Sequence, residues 1–268
     1  MVDVQSFPDD RNIPIKKVGV KNVRYPVTVL DKNYTAQNTV GTVNMFADLP
    51  HHFRGTHMSR FIEVFNRHYH RIQMPTFLDM LEEVRRNLEA ETAYAEVTFP
   101  YFMEKRAPVS GQVSLMEYTC SYMGEVAAER REFFVGVDAW VQTLCPCSRE
   151  ISARGAHNQR GLVKVRVKLG PFFWIEDLIQ VIEGAASSGL YTLLKREDER
   201  YVTEHAYDHP VFVEDLVRDV CLGIDEYKAF PWYSVEAENM ESIHKHDAYA
   251  YAERGTTGLR GGAHGHDG

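Results

Sequence analysis

Cysteine is scarce: the chain has four among 268 residues, at positions 120, 145, 147 and 221. So few thiols leave no disulfide framework of the kind that staples small secreted domains, and they fit a reducing compartment. Long apolar runs are missing too. The longest are a few residues, well short of the roughly 20 that a spanning helix needs. Met1-Val2-Asp3-Val4-Gln5 has neither the basic start nor the apolar stretch of a secretion signal, so the expected location is the cytoplasm. Positive charge is in deficit, with 30 Lys and Arg against 38 Asp and Glu and a net charge of −8. That balance argues against bulk attraction to nucleic acid or to acidic membranes. An anionic substrate would need a local basic patch.

Enough apolar residues are present, 44% of the chain, to bury a core as one large domain or two small ones. Val18, Val20, Val23, Tyr25, Val27 and Val29 read as a first strand region, followed by a second over about Thr39 to Phe46. Met74-Pro75-Thr76 opens a helix with Phe77, Met80, Leu81, Val84 and Leu88 on one stripe. Alternation from Ala93 to Tyr101 and from Val113 to Gly124 predicts two more strands. The second half repeats the plan: strands at Phe133–Thr143 and Val163–Leu169, and a helix over Phe172–Glu183. Another helix starts at Asp208-His209-Pro210, carrying Val213, Val217, Val220 and Ile224, and a closing strand covers Tyr233 to Ala237. Two such rounds imply an α+β duplication, with modules at about 15–130 and 131–253. Glycine fills positions 255, 258, 261, 262, 265 and 268, so residues 254–268 are expected to be a disordered tail in which His264 and His266 are solvated.

Chemistry concentrates in Leu144-Cys145-Pro146-Cys147-Ser148 and Gly155-Ala156-His157-Asn158-Gln159-Arg160. The alternation of the preceding strand puts Cys145 and Cys147 on one side of its end. Pro146 has no backbone donor and stops regular pairing there, opening the loop that carries His157. Cys120 and Cys221 read as small buried hydrophobes. Cys145 and Cys147 can be read as a redox pair, though the usual spacing is C-x-x-C. A structural zinc site would draw four ligands from paired motifs, and no second C-x-x-C or C-x-C occurs. A site of few Cys completed by His or carboxylate would instead hold a catalytic ion with an open position. Spacing alone leaves metal and nucleophile chemistry both open.

The wording C-P-C-S-R-E-I-S, then G-A-H-N-Q-R, resembles GTP cyclohydrolase type IB, a pterin-forming enzyme family. Three further blocks fit the same family in order: Arg54-Gly55-Thr56-His57-Met58-Ser59-Arg60-Phe61, Phe212 to Arg218, and Glu241-Ser242-Ile243-His244-Lys245-His246-Asp247-Ala248. The resemblance implies the tunnelling fold, in which each half is a four-stranded antiparallel sheet with helices on one face. It also implies a homo-oligomer, a homotetramer in the family, whose sheets join edge to edge.

The implied activity is hydrolysis of GTP to 7,8-dihydroneopterin triphosphate and formate, with one divalent ion per site: Mn²⁺, Zn²⁺ or Fe²⁺. The resemblance assigns the ion to Cys145, His157 and Glu199. Glu199 lies in the run Lys195-Arg196-Glu197-Asp198-Glu199-Arg200, which by itself reads as a solvated hairpin loop. Cys147 and His244 remain alternative ligands. Glu214, beside the inward-facing Val213, is assigned to the guanine N1–H and 2-amino group. Glu241, His244 and His246 are expected to move protons, the two imidazoles pointing the same way if they lie on a strand. His57 belongs to a histidine-rich stretch (His51, His52, His57, His68, His70) and is expected to serve structure or substrate binding. Arg54, Arg60, Arg154, Arg160, Lys164 and Arg166 are unranked candidates for the triphosphate. Rival readings are a tunnelling-fold nitrile reductase, whose Glu-Ser-Lys-Ser type motif is absent, an Fe²⁺-dependent cyclohydrolase giving a cyclic phosphate, and a non-enzymatic metal-binding oligomer.

Overall fold

Strand-forming alternation dominates the chain, and the computed structural model turns it into nine strands and six helices among the described residues, 10–11, 13–51, 54–70 and 72–255. His52 and residues 256–268, including His264 and His266, lie outside them. The hydrogen-bonded order is β1-β2-β3-β4-β5-β6-β8-β9, with the short β7 on β5. In chain order the first round, β1 (Ile15–Leu30) to β4 (Val113–Ala127), runs strand-strand-helices-strand-strand, and the second, β5 (Arg130–Leu144) to β9 (Ala248–Gly255), repeats it with a short helix inserted between its first two strands and a two-residue strand among its helices. The compact units do not divide between those rounds. One takes in the described residues up to Pro100 with Ser121–Val135, and the other Tyr101–Cys120 with those from Gly136 on. β3 (Thr92–Arg106), β4 and β5 are 15 residues each, and each serves both units along its length. β9 runs to Gly255, so Arg254 and Gly255, expected in the tail, are ladder residues.

In the first unit β1 pairs antiparallel with β2 (Ala36–Leu49), and β2 with β3, placing Val43 opposite Val97 and Met45 opposite Ala95. Val27, Val29, Val43, Met45, Val97 and Phe99 face inward, as the alternation predicts. α2 (Met74–Asn87) buries Phe77, Leu78, Met80, Leu81 and Val84. Gly124 lets that helix approach: a Cβ there would lie 2.7 Å from the Phe77 ring. Sequence reading passed over α1 (Met58–His68), whose buried Phe61, Val64 and Phe65 are nonetheless spaced for a helix.

In the second unit β6 (Asn158–Lys168) pairs with β8 (Trp232–Asn239), Val165 opposite Val235, and β8 with β9. α4 (Ile175–Gly184) buries Leu178, Ile179 and Ile182, and α6 (Val213–Tyr227) buries Leu216, Val217, Val220 and Ile224. Each fully buried aliphatic side chain contributes about 1.5–3 kcal/mol. α6 begins at Val213 rather than at Asp208, because Asp208 ends α5 (Arg196–Asp208) and Pro210 separates the two helices. No helix among the described residues is long and apolar enough to cross a membrane.

α5 corrects the hairpin-loop reading of the 195–200 run. Its start is organised by Asp198, which is fully buried. The Asp198 carboxylate accepts from the N–H groups of Val109 (2.9 Å), Ser110 (2.8 Å) and Lys195 (2.8 Å), and from the Ser110 hydroxyl (2.6 Å). Burial pushes this carboxyl up. The Ser110 hydroxyl and the backbone N–H groups outweigh burial and hold it well below the ordinary carboxylate range.

A depressed carboxyl gives stability that is complete above its unfolded value and lost as pH falls toward the folded one. Asp198→Asn should therefore unfold at lower urea than the parent at pH 7, and the gap should narrow below about pH 4. A gap that stays constant in urea titrations down to pH 3 would remove the carboxylate from this account.

Candidate active site

The apolar run of β5 ends at Leu144, whose peptide is fixed at both polar atoms. Its N–H donates to the buried Ser187 hydroxyl (3.0 Å) and its C=O accepts from Val211 N–H (3.1 Å). Cys145 follows as N-cap of α3 (Pro146–Ile151), with Pro146 in the first turn where a missing N–H is harmless. Pro146 thus ends the pairing of β5, as expected, and starts a short helix. The Cys145 sulfur accepts from Ser148 N–H at 3.5 Å.

His157 is brought back to Cys145 by the 152–156 turn, in which Gly155 takes φ +69°, a conformation that suits glycine. Cys145 N–H donates to His157 C=O at 3.1 Å. The Ser148 hydroxyl spans the same gap, donating to Cys145 C=O (3.1 Å) and accepting from His157 N–H (3.2 Å). Three contacts thus clamp the expected thiol and imidazole positions together.

Glu241, His244 and His246 reach the same place, though not on a strand. Residues 241–247 form a turn-rich loop between β8 and β9. The β6–β8 register, Gly161 opposite Asn239, and a bond from Met240 N–H to Arg160 C=O (3.0 Å) carry that loop to His157. Glu241 Oε2 lies 3.7 Å from His157 Nδ1. The His244 ring is 6.4 Å from that of His157 and stacks on His246 at 5.1 Å. Cys145, His157 and Glu241 are half-buried, while Cys147, His244 and His246 are exposed. This mixture leaves a face open to a ligand while anchoring the groups behind it. Gln159, Thr143, Ser148 and Ser187 are polar members of the site that sequence reasoning missed. For Gln159 a signal existed, since its place two residues after His157 at the start of β6 puts both on one side.

Glu199 and Glu214 both lie on the first turn of a helix. Glu199 is exposed on the first turn of α5, where its buried neighbour Asp198 makes the structural contacts. Glu214 is exposed on the first turn of α6 rather than turned to the core, because the helix starts at Val213. His57 is the N-cap of α1 in the first unit. Cys120 and Cys221 are buried, as expected, and burial raises both thiols.

Among the basic candidates, Lys164 is paired with Glu236 (2.7 Å) and Arg166 with Asp138 (2.5 Å). Arg60 donates to Asn87 C=O (2.8 Å). Arg154 and Arg160 are exposed on either side of His157 in sequence, with the Arg160 guanidinium 5.5 Å from the Trp140 ring centroid.

The donors fit a divalent ion in part. Cys145 and His157 supply a thiolate and an imidazole, a pair suited to a borderline metal. Among the described residues no three His, Cys, Asp or Glu side chains form a group that could hold an ion.

The architecture is similar to uricase from Arthrobacter globiformis, with a TM-score of 0.50 over 91% of this chain and 95% of that one. At 9% identity this likeness concerns the fold alone, the α+β tunnelling fold. The family model described as type I GTP cyclohydrolase folE2 matches residues 1–250. GTP cyclohydrolase FolE2 of Syntrophus aciditrophicus is 55% identical over 95% of this chain and 100% of that protein. The protein of the same name from Geobacter sulfurreducens is 54% identical over 95% and 98%. With the family model covering nearly the whole chain and more than half of the residues shared with these relatives, the chain belongs to the type I GTP cyclohydrolase FolE2 family.

Proposed function

We propose that this protein is a GTP cyclohydrolase I. It adds water at C8 of the guanine of GTP, opens the imidazole ring, releases formate and recloses the product as 7,8-dihydroneopterin triphosphate, the entry to folate-type pterins. The reading is carried by one observation: the clamp that joins Cys145 to His157, with Glu241, His244 and His246 gathered beside them.

Ring opening and formate release both need protons moved at neutral pH. Stacked His244 and His246, exposed at the open face, suit transfer to the purine nitrogens and the ribose oxygen. Glu241 sits behind His157 and orients it. Glu214 accepts from guanine N1–H and the 2-amino group, a pairing that takes both oxygens of one carboxylate. Arg154 and Arg160 take the triphosphate, since Lys164 and Arg166 are already neutralised by carboxylates. The proposal includes one divalent ion, Mn²⁺, Zn²⁺ or Fe²⁺, held by Cys145 and His157 with a third donor from Glu199, Cys147 or His244. Such an ion would supply Lewis acidity and a nucleophile at neutral pH. The active form is a homo-oligomer, a tetramer by the family resemblance, acting in the cytoplasm.

The test is release of formate from GTP together with metal analysis. In Cys145→Ala, formate release should fall by at least about a hundredfold, the upper scale for losing a mere outer-shell partner. Tightly bound metal should be lost while the circular dichroism spectrum is kept, because among the described residues the thiol's hydrogen bond is the contact from Ser148 N–H. A metal-replete, active Cys145→Ala protein would sink the ligand assignment.

Glu214→Gln keeps the shape but turns an acceptor into a partial donor facing the guanine N–H groups. GTP should bind about 1–3 kcal/mol more weakly with metal content unchanged. Equal affinity of parent and variant in calorimetry would reject the guanine anchor.

A further inference from the structure

Gln159 is the most connected polar side chain around His157, and it is 8% exposed. Its carboxamide oxygen lies 3.0 Å from His157 Nδ1. Its nitrogen lies 2.9 Å from the hydroxyl of Thr143, which is fully buried, and 3.5 Å from Glu241 Oε1. An amide can be turned end for end, but these neighbours allow only one orientation. A carboxylate accepts and does not donate, so the NH₂ end must face Glu241, and the threonine hydroxyl can rotate to accept from it too. The oxygen end then faces His157. Because that oxygen also only accepts, Nδ1 must carry a proton. The second Glu241 oxygen, 3.7 Å from the same Nδ1, favours a proton there as well. A neutral imidazole has one N–H, so Nε2 keeps its lone pair.

We propose that Gln159 is a positioning residue: it locks His157 in the Nδ1–H tautomer, leaving Nε2 open as a ligand, and tethers Glu241 beside it. This deepens the role given to His157 under the cyclohydrolase reading and rests on it. The clamp at Cys145 sets where the His157 backbone lies, and Gln159 sets which ring nitrogen is available. Carbonyl or carboxylate acceptors on the far nitrogen of a ligating histidine fix its orientation in this way, and losing one typically weakens metal binding by about 10–100-fold.

The tautomer can be read without turnover. The full chain, ¹⁵N-labelled at histidine, is examined by long-range ¹H–¹⁵N correlation at neutral pH after chelation and again with Zn²⁺, the His157 signals being assigned from their loss in His157→Gln. In the parent, Nδ1 should be the protonated nitrogen before Zn²⁺ is added, and Zn²⁺ should shift Nε2 alone. In Gln159→Met, which fills the space without an acceptor, the Nε2–H form should gain population and Zn²⁺ affinity should fall by about 10–100-fold. Gln159→Glu keeps an acceptor at Nδ1 and should keep the parent tautomer. An Nε2–H tautomer in the parent overturns the inference whatever the variants do, so it stays testable even if Gln159→Met fails to fold. Retention of Nδ1–H in a folded Gln159→Met overturns it equally. A parent with the expected tautomer that releases no formate from GTP would sink the cyclohydrolase reading and leave this one standing.

Discussion

The backbone clamp between Cys145 and His157 is the constraint on which the site depends. A strand must stop, a helix of six residues must start, and the chain must return within a dozen residues to bond the place it left. Each requirement has a local cause: Pro146 ends the ladder, the Ser148 hydroxyl bridges outgoing and incoming backbone, and Gly155 allows the positive φ of the return. Upstream, the Leu144 peptide is held by Ser187 and Val211, which belong to the segments after α4 and after α5. The thiol is therefore positioned by the segments that follow α4 and α5 as well as by the sheet.

Register does the rest. Because Gly161 pairs with Asn239, the residues just before β6 and just after β8 must meet at the same end of the ladder. His157 and Gln159 come from one side of that meeting, and Glu241, His244 and His246 from the other. A one-residue slip would turn every inward valine of β6 outward, so the packing that buries Val163, Val165 and Val167 also fixes which loop faces His157. Core and site are set by the same hydrogen bonds.

Several polar side chains of the second unit meet partners distant in sequence. Asp198 binds the turn at Val109 and Ser110, and Lys105 meets Glu183 at 2.6 Å beside the Tyr118 hydroxyl. Burial lowers the Lys105 ammonium, with Glu183 offsetting part of the effect, and burial beside Glu183 raises Tyr118. The lysine amine lies so near Gly189 that a Cβ there would come within 2.7 Å of it. Gly189 is in β7 (Ser188–Gly189), which pairs with the end of β5 that leads to Cys145. The half-buried Lys105–Glu183 pair thus packs against the short strand that pairs with β5.

Much of this was legible in the sequence. Strict alternation identified most of β1 to β6 and β8, and apolar stripes identified α2, α4 and α6, because both signals are local consequences of how side chains leave a strand or helix. The Cys145 and His157 pair was legible from residue type and spacing, and the family blocks added Glu241, His244 and His246. Tertiary structure decided the rest. α5 has few apolar residues, so only the Asp198 contacts to a turn about 90 residues away in sequence reveal why it forms there. The same contacts bury Asp198 and leave Glu199 exposed, a distinction no local pattern carries. His244 and His246 do come together, but through ring stacking in a loop and not through strand alternation. Gln159 acquired meaning only when Thr143 and Glu241 were placed around it. Periodicity reports how a residue lies on its own element. Ladder register and long-range hydrogen bonds determine which elements meet, and those depend on pairs of residues far apart in the chain.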